Sequence, residues 1–471
     1  MRKTVSLIIV AVFFALLVNC NKEEDVVDNN NNNNLTPPAG TSYISGSTQR
    51  SGDAAAGYNY LVSGDYLSAG IPYSAFALVP GMTDNSNKLG RTGDNAIIRH
   101  DFTAVDAPNG VRVVAPNCLQ CHAGSINGNF IVGLGNASSD FTSDQSGLTT
   151  LAALLIPAGT PEWDAFEPFK KAFEAVAPNI VTEVQGVNVA DKLGAILAAH
   201  RDKETLLWND APSISIPAEV VPTDVPPWWA LKKKNAMFYA GNGRGDFPRY
   251  LMASSLLTMK DSSKANEVNE RFPDVLAYIL SLQPPPYPES IDAVLAEEGK
   301  AVFTANCAKC HGTYGAGGSY PNLLVSLGTV GTDPLLSDAY QSSTYSAFKE
   351  WFNTGWFGRD PNRAQLVSEG GYVAQPLDGI WASAPYLHNG SVPTLQDLLN
   401  STQRPAYWKR TFDDSDYDFV KVGWNYATPS SKTDKQTYDT TLPGYKNQGH
   451  LFGDPLTTEQ RSAVIEYLKT L

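Results

Sequence analysis

Two pentapeptides carry the plainest chemistry in this chain. Cys118-Leu119-Gln120-Cys121-His122 and Cys307-Ala308-Lys309-Cys310-His311 share the pattern C-x-x-C-H. Residues three apart on a helical turn share a face, so two such thiols can reach the two vinyl groups of one porphyrin. The histidine that follows then lies under the ring and can ligate its iron. C-x-x-C-H is the attachment sequence of c-type haem. Four of the five cysteines fall in these two motifs, and so do two of the six histidines. Zinc or a redox disulfide on the two Cys-x-x-Cys pairs would leave both trailing histidines without a role. The motifs therefore predict two covalently bound haem c groups. Cys118, Cys121, Cys307 and Cys310 would form the thioethers, with His122 and His311 on the metal.

What lies opposite each proximal histidine decides function. A six-coordinate haem passes electrons, whereas an open face can bind dioxygen or peroxide. The remaining histidines are His100, His200, His388 and His450; the methionines beyond the first are Met82, Met237, Met252 and Met259. Met252 and Met259 lie seven apart on one helical stripe and read as core. His200 stands among Arg201, Asp202, Lys203 and Glu204 and reads as surface. His100, in Ile97-Ile98-Arg99-His100-Asp101, could serve as a distal base or ligand, or could be satisfied by Asp101.

The elements that position these residues are short. Gly, Pro, Ser and Asn are frequent and long periodic stretches rare, which predicts a mainly α fold with extensive irregular loops. Helices are expected at 161–176, 189–207, 248–259, 267–282, 290–305 and 457–471, with Ser290 as an N-cap. The stiff Gln283-Pro284-Pro285-Pro286-Tyr287-Pro288 separates an N-terminal haem domain, 41–288, from a C-terminal one, 289–471. Val275-Leu276-Ala277-Tyr278-Ile279-Leu280 closes the first half and Val464-Ile465-Glu466-Tyr467-Leu468 the second. Each half thus has a C-x-x-C-H motif and a terminal helix bearing a tyrosine. That resembles two fused class I cytochrome c domains, whose terminal helices pack across each other. In that family a proline carbonyl accepts a hydrogen bond from the haem histidine, which makes Pro321 the candidate acceptor for His311.

The first 40 residues read as targeting. Arg2 and Lys3 precede a short apolar run that ends at Leu17-Val18-Asn19-Cys20, similar to a lipoprotein signal over 1–20. Residues 21–40 contain an asparagine run and Pro37-Pro38, and read as a disordered tether. The expectation is an exported protein, lipid-anchored at Cys20 and facing the periplasm or cell surface. A formal net charge of −13 argues against nucleic acid as a partner.

The block from Leu377 to Leu395, with Ala384-Pro385-Tyr386-Leu387-His388-Asn389-Gly390, resembles bacterial di-haem cytochrome c peroxidases. It is closer still to the di-haem rubber oxygenases and their relatives. Thr441-Leu442-Pro443-Gly444, Gly449-His450-Leu451-Phe452-Gly453 and Pro226-Pro227-Trp228-Trp229 are similar to the second group. The peroxidases place a methionine ligand after the His388 block, but this chain has no methionine after Met259. The resemblance then implies His450 as sixth ligand of the second haem, with His388 hydrogen-bonding nearby. It implies a tryptophan beside the active haem, for which Trp228 and Trp229 are candidates, core packing being the other reading. Lys232, Lys233, Lys234, Arg244 and Arg249 could pair with propionates or be solvated charge. The family also has room for interdomain calcium, to which no ligands are assigned. The functional expectation is a haem oxidoreductase, with a first haem acting on peroxide or dioxygen and a second relaying electrons to or from a redox partner. The competing expectations are a non-catalytic electron-transfer lipoprotein and a protein-modifying enzyme like the di-haem enzyme that matures methylamine dehydrogenase.

Overall fold

The computed structural model describes residues 38–471. The export signal, the anchoring cysteine Cys20 and the asparagine run lie outside the described residues. Each half of the chain is framed by two crossing helices. In the first half Ala54–Ser63 crosses Phe272–Ser281; in the second Ala293–Asn306 crosses Thr458–Leu468. Their starts are fixed by side-chain caps. Asp53 accepts from Ala56 N–H, Asp292 from Val294 and Leu295 N–H, and Thr457 forms a capping box with Gln460.

Both crossings are closed by a glycine. A Cβ on Gly57 would lie 1.9 Å from the Asp274 carbonyl oxygen, and one on Gly299 1.8 Å from that of Ala463. Only glycine permits backbones this near. Aromatic pairs flank each crossing, Tyr58 on Tyr278 at 5.1 Å and Phe303 on Tyr467 at 5.3 Å. The tyrosine of each terminal helix is thus part of the crossing.

The mainly α expectation fails. Helix accounts for 36% of the described residues and strand for 13%, with the strands spread over six small sheets among them. Part of the strand content is local. Phe102–Asp106 and Arg112–Pro116 pair across the Asn109-Gly110 turn. Ala123–Ile126 and Asn129–Val132 pair across Asn127-Gly128, whose φ values of 50° and 74° suit the primed turn that two-residue hairpins prefer. The rest joins distant segments. Thr41–Tyr43 and Tyr372–Val373 flank Leu323–Val325, and Gly243–Gly245 pairs with Ala364–Leu366. The largest core likewise combines residues 61–279 with residues 336–372.

Pro161–Val176 forms as expected, capped by Thr160. The 189–207 helix is only Ala190–Ala199. Residues 248–259 divide into Phe247–Leu251 and the tighter Met252–Leu257. The 267–282 stretch divides into Ser262–Asn269 and Phe272–Ser281, because Pro273 starts a new helix and has no N–H to continue the old one. Asp292, not Ser290, caps the helix before the second motif. Met252 and Met259 are buried in the core, as their stripe implied. His200 is not on the surface. It is buried, stacked on Trp208 with centroids 4.8 Å apart, and its Nδ1 lies 3.0 Å from the Asn209 carbonyl oxygen.

Candidate haem sites

The second C-x-x-C-H motif continues directly from a framing helix. Cys307 caps Ala293–Asn306, and Ala308–His311 makes one further turn. Cys307, Cys310 and His311 line one wall of an apolar cleft enclosing ≈ 1460 Å³ of empty space, part of it open to solvent. His450 and Phe452 line another wall. The rings of His311 and His450 have centroids 6.2 Å apart. An iron about 2 Å from a nitrogen of each imidazole sets the centroids roughly 6 Å apart, because each nitrogen lies about 1 Å from its ring centre. The observed spacing fits a metal between the two rings.

The protonation states fit as well. His311 Nδ1 lies 2.8 Å from the Gln375 carbonyl oxygen. A carbonyl only accepts, so Nδ1 carries the proton and Nε2 keeps its lone pair for a metal. The acceptor is therefore Gln375 and not Pro321. Burial lowers the pKa of His311, and lowers that of His450 to about 3, with repulsion from His311 and Arg404 adding to it. Both imidazoles are neutral, as ligands must be.

His450 is held by its backbone. It adopts a left-handed conformation with φ 47°, and its N–H donates to the Val330 carbonyl at 2.7 Å. A Cβ on Gly449 would lie 2.2 Å from the Gly331 carbonyl carbon, so the preceding residue must be glycine. Arg404 ties the segment down, donating to the carbonyls of Asn447 and Gly449 at 2.7 Å each and of Leu398 at 2.8 Å. His388 also lines the cleft, with its ring stacked on Tyr372 at 4.0 Å. Burial lowers its pKa to about 3.

The first motif is built differently. Cys118–Gln120 is a single 3-10 turn capped by Asn117, and the hairpin 123–132 follows His122 at once. Cys118 Sγ lies 3.7 Å from Ser254 Oγ, and Asn188 Nδ2 donates to Cys121 Sγ at 3.1 Å. Burial pushes the Cys121 thiol up to about 11 and lowers His122 to about 3. His122 Nδ1 is buried with no hydrogen-bond partner among the described residues, in contrast to that of His311. The His122 ring stacks on Trp228.

Trp229 is fully buried and donates from Nε1 to the Asp378 carbonyl at 2.8 Å. His100 packs on Phe130 at 4.6 Å, while the Asp101 carboxylate is taken by Arg99. Lys233 pairs with Asp378 and Arg244 with Glu369. Lys234 is buried against Gln375 Oε1 and the Phe238 carbonyl, and burial lowers it to about 7. Gln375 thus meets both Lys234 and His311, a role its sequence context did not announce. Among the described residues no three Cys, His, Asp or Glu side chains gather as a metal site. The two Cys-x-x-Cys pairs therefore do not share one ion, and the calcium site suggested by resemblance has no such cluster.

Comparison with known proteins agrees with this chemistry. Residues 296–366 match the cytochrome c family model, and residues 371–409 match the model described as RoxA-like, cytochrome c-like. Two uncharacterised proteins of Sinorhizobium fredii are similar. One, y4iM, is 27% identical over 312 residues, covering 58% of this chain and 69% of its own. The other, y4iJ, is 30% identical over 253 residues, covering 40% of this chain and 41% of its own. The matches support a c-type cytochrome. Cytochrome c domains imply covalently bound haem c and a role in haem-based electron transfer or oxidoreduction.

Proposed function

We propose that the chain is a di-haem c-type oxidoreductase in which His311 and His450 close both faces of the second iron and the first site meets peroxide or dioxygen. The observation that carries this reading is the 6.2 Å spacing of the His311 and His450 rings across the second cleft. Bound at these motifs, haem supplies one-electron redox chemistry and, where a face is open, a coordination site for a small oxidant. With haem bound, His311, oriented by Gln375, and His450, held by Arg404, would be the two residues that hold its iron at the second site. That site suits electron relay. His122 is a neutral proximal ligand whose flank is covered by Trp228, and no second histidine among the described residues packs on it. His200 is engaged by Asn209 and Trp208, His388 lies in the other cleft, and His100 packs on Phe130.

Hydrogen peroxide and dioxygen, added separately to the reduced, haem-loaded protein, test the reading. The expected result is a spectral change at the first site within the mixing time, followed by oxidation of the second. If neither oxidant changes the spectrum, the chain is an electron carrier without a substrate. The lipid anchor proposed at Cys20 is tested separately. Cys20→Ala should move the protein from the membrane fraction to the soluble one, and unchanged fractionation would refute it.

A further inference from the structure

Resting on the reading that the second cleft holds haem c, we propose that Asp224 is the proton acceptor coupled to reduction at that site. As an electron enters the second site, the Asp224 carboxylate takes up one proton.

Two independent bonds, one to the side chain and one to the backbone, hold Asp224 to the wall of the cleft. Tyr239 lines the cleft and donates from its hydroxyl to Asp224 Oδ2 at 2.6 Å. The Asp224 backbone N–H donates to the carbonyl of His388 at 2.7 Å, and the His388 side lines the same cleft. The segment that follows Asp224, through Pro227 and Ala230, forms another part of that wall. Asp224 is thus bonded to two lining residues of the second site, Tyr239 and His388, and is bonded to neither His311 nor His450.

The groups that face Asp224 leave its charge open. Tyr239 and Tyr438 are phenols, and burial keeps the pKa of both well above the ordinary value. His388 is neutral. Arg410 is the cation in the neighbourhood. Its guanidinium is sandwiched between Phe412 and Trp424, 4.2 Å from each ring centroid, and it donates to the Ala137 carbonyl. Its charge reaches Asp224 only through space. Burial raises the Asp224 carboxyl to about 7, against the opposing pull of the Tyr239 bond, the Val225 N–H and Arg410. A carboxylate without a bonded cation responds strongly to any charge added nearby.

The balance is simple. One electron passes from an external reductant to the second site, and one proton passes from solvent to an Asp224 oxygen. An O–H bond forms there, and the net charge of the cleft is unchanged. An anionic Asp224 would oppose the incoming electron, and protonation removes that repulsion.

The reduction potential of the second site, followed by spectroelectrochemistry on the haem-loaded full chain between pH 5 and 9, tests this. The relevant wave is the one that shifts in His450→Ala. Below the pKa that burial raises for this carboxyl the potential should be flat, because the carboxyl is already protonated before the electron arrives. Above it, until the pKa of the reduced state is passed, the potential should fall by up to about 59 mV per pH unit, the one-electron equivalent of a tenfold change. Asp224→Asn should remove the slope. Tyr239→Phe deletes a bond that favours the carboxylate, so it should move the onset of the slope to higher pH. A wild-type potential independent of pH, or a slope that survives Asp224→Asn, overturns the proposal while leaving the haem assignment standing. Absence of any second redox wave overturns both.

Discussion

The ring of Trp228 lies on the ring of His122, with centroids 4.5 Å apart and planes inclined by 19°. Its chain neighbours face the other way. Pro227 and Ala230 line the second cleft, and Trp229 binds the backbone of Asp378, which lines it too. One stiff stretch, 226–230, therefore touches both sites, and the two prolines before the tryptophans hold it in place.

On the proposed di-haem reading, Trp228→Leu should leave haem attachment intact, since the cysteines of both C-x-x-C-H motifs are untouched. It should slow electron transfer between the sites by roughly tenfold, about 1.4 kcal/mol on the barrier. Stopped-flow absorbance after mixing with a reductant reads this rate. An unchanged rate would place the route elsewhere.

Arg404 is a positioning residue for His450. Arg404→Met leaves the carbonyls of Leu398, Asn447 and Gly449 without their donor, at a cost of about 2–3 kcal/mol in stability. The freed loop should also lower the share of second-site iron in the low-spin state. A stability loss with a full low-spin signal would show that the loop holds His450 without Arg404.

The two glycine crossings should behave alike. Gly57→Ala and Gly299→Ala each push a methyl carbon into a carbonyl oxygen under 2 Å away. Each should cost at least about 2 kcal/mol by forcing the helices apart. Chemical denaturation of the two variants checks this, and a loss below about 0.5 kcal/mol, the range of ordinary surface changes, would contradict the close packing.

These elements differ in how far the sequence announces them. The C-x-x-C-H motifs, the helix Pro161–Val176 and the repeated terminal helices rest on local spacing and capping, and all are readable. His450 is implied by the resemblance of Gly449-His450-Leu451-Phe452-Gly453 to the rubber oxygenases, together with the lack of a methionine after Met259. The Asn127-Gly128 pair is itself a hairpin signal in the sequence. Gln375 could not be found that way. It acts on His311 through its backbone carbonyl from 64 residues away, and a carbonyl leaves no mark on residue type. The pairing of Thr41–Tyr43 with Leu323–Val325 is hidden for a similar reason, because three-residue strands joined across the chain have no periodicity to read.

Stability should depend on pH through His388. Burial holds its folded pKa near about 3, whereas the unfolded chain has the ordinary value of about 6.5. As pH falls below the unfolded value, the unfolded state gains a proton that the folded state does not. Stability is therefore lost between those two values, at up to about 1.4 kcal/mol per pH unit. His388→Gln should weaken this slope in urea unfolding measured from pH 6.5 to 4. An identical slope would remove His388 from the account.

The electron paramagnetic resonance spectrum of the oxidised protein tests the central claim most directly. With His311 and His450 on one iron and an open face on the other, it should contain one low-spin bis-imidazole signal and one high-spin signal, in equal amounts. His450→Ala should convert the low-spin signal to high-spin, and His388→Ala should leave it in place. Two low-spin signals in the wild type would contradict the open first site, and a low-spin signal that survives His450→Ala would contradict the ligand assignment on which the relay role rests.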